Sequence, residues 1–527
     1  MNQMHSFVSV GCGDVCRGWS KAAPVLLMLA GAPLYAAVEL DPIYGDGMVL
    51  QQGREIVVRG TTDKPSEPVK VSFNGQTVKA TTKGKAWKAV LQPMPANATG
   101  QELVAEQKSG SASVKNVVVG EVWIASGQSN MLWRLNQTPG NPATIAQSAN
   151  PDFRFYHSEP QVHTSPPRYN EDLLKRVQEK RMYECKWSVS APETSPRMSA
   201  VGYYFGQNLQ KQLGVPVGII HASLGGSNML AWIPRDVVKK EYPGCQGGDW
   251  VKSKYASEWV RGRAQQNVGP GGDFSLHPYA PSYLYETGLE KWEGFPVAGA
   301  IWYQGESDAE ILDNEQNKKL LKDIITSWRQ KLGNENLPFL QVQLPRINDK
   351  SKLRAYWPEF RQVQSEVAEE MPGVECVVTM DLGSTNSDVH PPRKVEVGER
   401  LAATALKKVY GKDVDFSGPV VSGIKAKGSK VQVKFDNAKG LSTTDGAAPV
   451  GFELAGADKK YVPATAEIKG EGVVLTAEGV KAPKYVRYGW AVFMTPNLVN
   501  EAGLPTAPCP ETDIKAASQK DKKKKKR

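Results

Sequence analysis

Five short apolar runs recur between residues 119 and 411, and they constrain the fold more than any other feature. They read "EVWIAS" from Glu121, "PVGIIHAS" from Pro216, "VAGAIWYQ" from Val297, "PFLQVQL" from Pro338 and "CVVTMDL" from Cys376. Most are apolar at consecutive positions. A strand that is apolar on both faces belongs in a parallel sheet covered on both sides. Between some of these runs lie "SAVGYYFGQNLQKQL" and "NEQNKKLLKDIITSWRQKL", whose apolar residues recur at three- and four-residue spacing, as on one face of a helix. Strands alternating with helices predict an α/β domain over 119–411 built on a five-stranded parallel sheet. In such sheets the site lies beyond the carboxyl ends of the strands.

Polar motifs follow these runs. Ser129 follows the first, in "GQSNM". "LGGS", Leu224 to Ser227, follows the second, and "QGESDA", Gln304 to Ala309, the third. "SDVHPP", Ser387 to Pro392, comes soon after the fifth. A serine hydroxyl needs a base to take its proton, a group to orient that base, and N–H donors for the developing oxyanion. His390 is the best base among the six histidines. Pro391 pushes it towards an extended backbone, and in an extended chain Asp388, two residues earlier, points to the same side. Read alone, Asp-Val-His-Pro is equally well a turn. Gly225 and Gly226 allow a close backbone approach, Gly226 and Ser129 offer N–H donors, and Gln304 offers a side-chain amide. The familiar elbow G-x-S-x-G is broken here, because Met131 stands where the second glycine belongs. The chemistry points to a serine hydrolase outside the α/β-hydrolase group.

These blocks, "GQSNM", "LGGS", "WYQGESDA" and "DVHPPRK", resemble in order those of the sialate O-acetylesterase family within the SGNH hydrolases. "GDGMVLQQG", "GFELAGADKKYVPATAEI" and "VRYGWAVFMTPNLVNEAGLP" extend the resemblance from about residue 40 to about 508. The resemblance implies a three-layer α/β/α catalytic domain with attached β domains. It also implies removal of O-acetyl groups from sugars without a metal or other cofactor. Carried over by motif, Ser129 is the nucleophile, His390 the general base and Asp388 its orienting acid, with Glu306 the alternative acid. Ser129, Gly226 and Gln304 form the oxyanion hole. A sialic acid carries a carboxylate, for which Arg134 is a candidate partner. Trp232, like Trp133 and Trp302, is a candidate platform for a sugar face. Sialate 9-O-acetyl esters are the leading substrate, and acetylated xylan or xyloglucan the alternative. A non-catalytic sugar-binding protein is the reading of another class, and an SGNH lipase or thioesterase a third.

The flanks read differently. Residues 38–118 hold short Val-rich runs with a hairpin signal at "FNGQ", and residues 412–508 return to the same β character. Each is expected to be an all-β domain. Residues 1–37 read as an export signal, with Arg17 and Lys21 before "AAPVLLMLAGAPLYAA", so a periplasmic or secreted protein is expected. No run approaches the roughly 20 apolar residues of a membrane span. The formal net charge of +10 is concentrated at the end, where "KDKKKKKR" carries seven positive charges and one negative. A body near charge balance does not describe a nucleic-acid surface. The tail 509–527 has no core pattern and reads as disordered. Cys185, Cys245, Cys376 and Cys509 lack metal-site spacing, and the sequence leaves their pairing open, as it does the oligomeric state.

Overall fold

A computed structural model describes residues 38–514. The export segment 1–37 and the lysine-rich end beyond 514 lie outside the described residues. The central sheet takes seven strands in chain order: Gly110–Gly127 (β1), Asn150–Pro160 (β2), Tyr183–Ser190 (β3), Val217–Ser223 (β4), Gly299–Tyr303 (β5), Phe339–Val342 (β6) and Val374–Val377 (β7). Their lateral order is β3-β2-β4-β1-β5-β6-β7. Every pair from β2 to β7 along that path is parallel, and β3 is an antiparallel edge. The five expected strands are all present, but the parallel sheet has six. The sixth, β2, escaped the sequence reading because Asp152, Arg154, His157 and Glu159 interrupt its apolar residues. Arg154 is nevertheless buried, its guanidinium donating to the carbonyls of Gly47 and Asn116 from an adjoining segment.

β1 is 18 residues long and changes character along its length. Its first half alternates in burial and pairs antiparallel with Asn97–Gln107. From Val118 to Gly127 every residue is buried, and the strand runs between β4 and β5, with Ile124 beside Ile220 and Ala300. Val49–Gln51 also pairs with β1, at Val118 to Gly120. The division drawn at residues 118 and 119 therefore falls inside one unbroken strand. Alternation marks a sheet with one wet face, and the continuous run marks the place where both faces become covered.

Helices cover the strands. Ala200–Leu213 (α1) starts where the Ser199 hydroxyl accepts from the Gly202 N–H, and Asn314–Lys331 (α2) where Asp313 accepts from the Gln316 N–H. These are ordinary N-caps. Trp357–Glu370 (α3) and Lys394–Lys408 (α4) complete the set. Alternate strand residues enter two cores. Trp123, Ala125, Ile219 and Ile301 pack with Val201, Phe205, Leu401 and Ala405. Val122, Ile124, Ile220 and Trp302 join a second core with Leu320, Ile324, Trp328 and Phe360. Trp302 meets Trp232 and Trp328 edge to face, with ring centroids 5.9 and 5.5 Å apart.

The chain then returns to β structure. Strands from Val420 to Thr476 form one four-stranded sheet, and Val462–Pro463, Phe452–Ala455, Tyr485–Tyr488 and Cys509–Asp513 another. They share a core of their own that includes Val431, Val433, Leu454, Val473 and Tyr488. The stretch from Cys509 is thus not tail at its start. Cys509–Asp513 pairs with Tyr485–Tyr488, and Ile514 is buried in that core. One apolar residue among Pro, Glu, Thr and Asp gave the sequence no strand pattern. Fully buried Arg361 of α3 donates to the carbonyls of Pro345, Ala491 and Val492, tying this region to the central sheet. Cys185, Cys245 and Cys376 are thiols. Among the described residues no helix is long and apolar enough to cross a membrane.

Trp302→Ala should destabilise the protein by about 3–5 kcal/mol, the range for emptying a buried aromatic site. The measurement is the urea unfolding midpoint followed by tryptophan fluorescence.

Candidate active site

Four loops leave the carboxyl ends of β1, β4, β5 and β7 and meet at one cavity of about 250 Å³. The first turn is forced by a close approach. Gly127 sits at φ +141°, and a Cβ there would lie 2.1 Å from the Tyr303 carbonyl oxygen of β5. The chain leaves the sheet with the Gln128 N–H donating to that same carbonyl at 2.9 Å. Ser129 then opens the short helix Ser129–Leu132. As the first helical residue it has an N–H with no intrahelical acceptor. Ser129, Gly225, Gly226, Glu306 and His390 all line the cavity, so residues far apart in sequence share one wall.

The His390 ring has its orientation set from two sides. Its Nδ1 lies 3.2 Å from Asp388 Oδ1, which also accepts the His390 backbone N–H at 3.0 Å. Trp133 stacks on the ring, with centroids 5.6 Å apart and planes 25° apart. That leaves Nε2 for the cavity. Glu306 makes no hydrogen bond to His390 among the described residues; its Oε1 accepts from Asn130 Nδ2.

The peptide joining Gly225 and Gly226 is held in one orientation. The Gly225 carbonyl accepts from Tyr279 Oη at 2.8 Å and Thr164 Oγ1 at 3.3 Å. In a trans peptide the next N–H points the opposite way, so pinning that carbonyl aims the Gly226 N–H. Ser307 Oγ donates to the Gly226 carbonyl at 3.0 Å. Gly226 has φ +72°, and a Cβ would meet Tyr279 Oη at 2.2 Å and Trp259 at 2.6 Å. No other residue fits there. Gln304, in contrast, is not a free donor. Its Nε2 donates to the Ser227 carbonyl at 3.1 Å and to Asp308 Oδ2, and its side chain is absent from the cavity wall. Burial pushes the Asp308 carboxyl up to about 7. Gln128 is the amide at the cavity. Its Oε1 accepts from the Gly305 N–H at 3.3 Å, and its Nε2 has no hydrogen-bond partner among the described residues.

A buried polar junction joins the loops. Asn130, fully buried beside Ser129, donates through Nδ2 to Glu306 and to the Val389 carbonyl, and its Oδ1 accepts from Lys394 Nζ. One amide thus connects the serine turn, the β5 loop, the histidine loop and the start of α4. Lys394 is itself fully buried and lies over the Trp133 and Tyr303 rings. Burial lowers its pKa to about 7, against the pull of Glu306 and Asp388. The motifs contain Asn130 and Lys394, but nothing in their spacing says that they touch.

Other expected positions are occupied differently. Arg134 pairs with Glu159 and does not line the cavity, so its charge is already matched. Trp232 is fully buried, its Nε1 donating to Ser227 Oγ at 3.1 Å and its ring against Trp302. No sugar can stack on it. Trp302 is equally buried. His221 is structural, with Nε2 2.8 Å from Ser223 Oγ and a pKa lowered by burial to about 3. The sequence reading missed Thr164, Trp259, Arg263 and Tyr279, all in the cavity wall. They come from segments without strand periodicity. The available signal was Trp259 and Arg263 four residues apart, on a helix, Glu258–Val268, capped by Ser257.

This arrangement of a serine, a histidine and free backbone donors above a parallel sheet belongs to a known class. A family model described as "carbohydrate esterase, sialic acid-specific acetylesterase" matches residues 119–407. The chain belongs to that family and is a carboxylic ester hydrolase. Sialate O-acetylesterases of Pongo abelii and Homo sapiens are each 26% identical over 398 residues, covering 71% of this chain and 67% of theirs. The crystal structure of a carbohydrate acetylesterase from Xanthomonas citri is similar with a TM-score of 0.74. It is 30% identical and is matched over 90% of this chain and 99% of that one.

Two outcomes are expected. Removing Lys394 strands a buried carboxylate, so Lys394→Met should cost about 3–5 kcal/mol. Because both side chains serve one junction, the Asn130→Ala/Lys394→Met double variant should lose less than the sum of the singles, as measured by urea unfolding. The second concerns His277, whose ring is fully buried. Its Nδ1 accepts from the Tyr279 N–H at 3.0 Å and its Nε2 donates to Asn267 Oδ1 at 3.1 Å. Only the neutral ring makes both bonds, and burial lowers the pKa to about 3. The unfolded chain then binds more protons between about pH 6.5 and 3. Stability should fall as pH falls through that window, and His277→Gln should flatten the fall in pH-dependent thermal melts.

Proposed function

We propose that the protein removes O-acetyl groups from sugars with Ser129 as nucleophile, His390 as general base and Asp388 as the residue that orients it. The observation that carries this reading is that Ser129 and His390, 261 positions apart, line one cavity beside the Ser129 and Gly226 backbone N–H groups, which have no hydrogen-bond partner among the described residues. Ser129 Oγ attacks the acetyl carbonyl carbon while His390 Nε2 takes its proton. The oxyanion accepts from the Ser129 and Gly226 N–H groups, with the Gln128 amide in the place expected for Gln304. Each such donor is worth about 3–4 kcal/mol of barrier. His390 returns the proton to the departing sugar oxygen. Water activated by the same ring then releases acetate. The 3.2 Å contact favours Asp388 over Glu306 as the acid.

The same reading extends to the architecture. The cores on the two faces of the sheet support a three-layer α/β/α SGNH arrangement over 119–411, with β domains over 38–118 and 412–508. Family membership favours sialate 9-O-acetyl esters as substrate, with acetylated xylan or xyloglucan as the alternative. The basic and apolar composition of residues 1–37 favours export to the periplasm or medium.

The test is acetate release from O-acetylated sialosides and acetylated plant polysaccharides. Ser129→Ala and His390→Ala should each lose about 10⁴-fold or more. Asp388→Asn should lose less, about 10- to 100-fold, since its carboxylate is 57% exposed and solvent screens its field. Equal turnover by Ser129→Ala would leave a sugar-binding protein instead.

A further inference from the structure

Four charged side chains of Arg, Asp, Glu or Lys type line the cavity, and three of them are already answered. Glu310 and Arg354 pair with each other at 3.4 Å, and Arg354 also reaches Asp349. Glu306 is held by Asn130, whose far end takes the Lys394 ammonium. Arg263 is the fourth. No carboxylate oxygen of the described residues lies within ion-pair distance of its guanidinium. Among the described residues its hydrogen bonds run from Nη1 to the main-chain oxygens of Thr164 and Ser165, at 3.4 and 3.3 Å. Nε and Nη2 donate to nothing among the described residues.

The place of this guanidinium is built. It lies over the Trp259 ring, with Cζ 5.5 Å from the centroid, a stacking that fixes the plane of the fork. Trp259 in turn closes on Gly226, where a Cβ would come within 2.6 Å of the indole. Thr164, whose carbonyl takes the Arg263 bond, also donates to the Gly225 carbonyl. Arg263 therefore stands just behind the glycine loop, in the wall of the cavity that holds Ser129. A planar cation with open donors and no internal counter-charge matches a carboxylate in charge and in geometry.

We propose that Arg263 binds the carboxylate of an acidic sugar whose acetyl ester is presented to Ser129. Arg263, not Arg134, is then the residue that tells such a sugar from a neutral one. This rests on the esterase reading above, and the experiment separates the two.

The probe is one O-acetylated sialoside supplied as the free acid and as its carboxylate methyl ester. The pair differs in one charge and keeps the same acetyl group. The unaltered enzyme should favour the free acid in kcat/KM by about 10- to 100-fold, the discrimination expected of one charge-assisted pair. In Arg263→Met the ratio should fall to near one. Arg263→Lys should retain part of it, because a point charge replaces the fork. Each ratio is taken within one variant, so a change in overall turnover or folding does not move it. An unaltered enzyme that treats the two compounds alike overturns the proposal. So does an Arg263→Met variant that keeps the full preference. Hydrolysis of 4-nitrophenyl acetate that needs Ser129, without turnover of either sialoside, also overturns it and leaves the esterase reading standing. Hydrolysis that does not need Ser129 removes both.

Discussion

The buried amide of Asn130 is the contact on which the catalytic arrangement depends. Four segments converge on it. Glu306 brings a charge inside that needs a donor, and Lys394 brings one that needs an acceptor. An asparagine satisfies both, because one end donates and the other accepts. Its second N–H bond, to the Val389 carbonyl, reaches the residue between Asp388 and His390. The polar junction costs desolvation, and it gains geometry: the histidine loop is fastened to the residue next to Ser129.

A second device works through main-chain planarity. Tyr279 and Thr164 hold a carbonyl, and the rigidity of the peptide unit delivers an N–H to the opposite side. The same segment supplies Trp259 and Arg263, so the wall that orders the glycine loop also presents the cavity's unmatched charge.

Much of this was legible in the sequence, and the failures have physical reasons. Continuous apolar runs identified five strands because burial on both faces leaves a pattern that no turn imitates. β2 was hidden by Arg154, a buried cation whose partners are carbonyls from another segment, and no local pattern reports those. Ser129, Asp388 and His390 stood out through their chemistry and through the backbone bias of Pro391. Gln304 carried the right functional group, but its hydrogens are spent on Ser227 and Asp308. Arg134 had the right charge with Glu159 already beside it, and Trp232 the right ring inside the core. Residue type is visible in one dimension, whereas availability is decided by neighbours brought together in three. Arg263 shows the converse. Its segment had no periodicity to draw notice, and only the absence of a counter-charge around it makes it conspicuous.

The unbroken β1 strand has an architectural consequence. The same 18 residues begin as a rung of the antiparallel N-terminal sheet and end at Gly127, two residues before Ser129. A bulge intervenes at Asn116, where φ is +55° and the pairing register shifts between Val114 and Val117, and the strand continues through it. The N-terminal β structure is therefore less an appendage than the footing of a beam that ends two residues before Ser129. Trimming the protein to its family-defining segment would saw through that beam rather than detach a module.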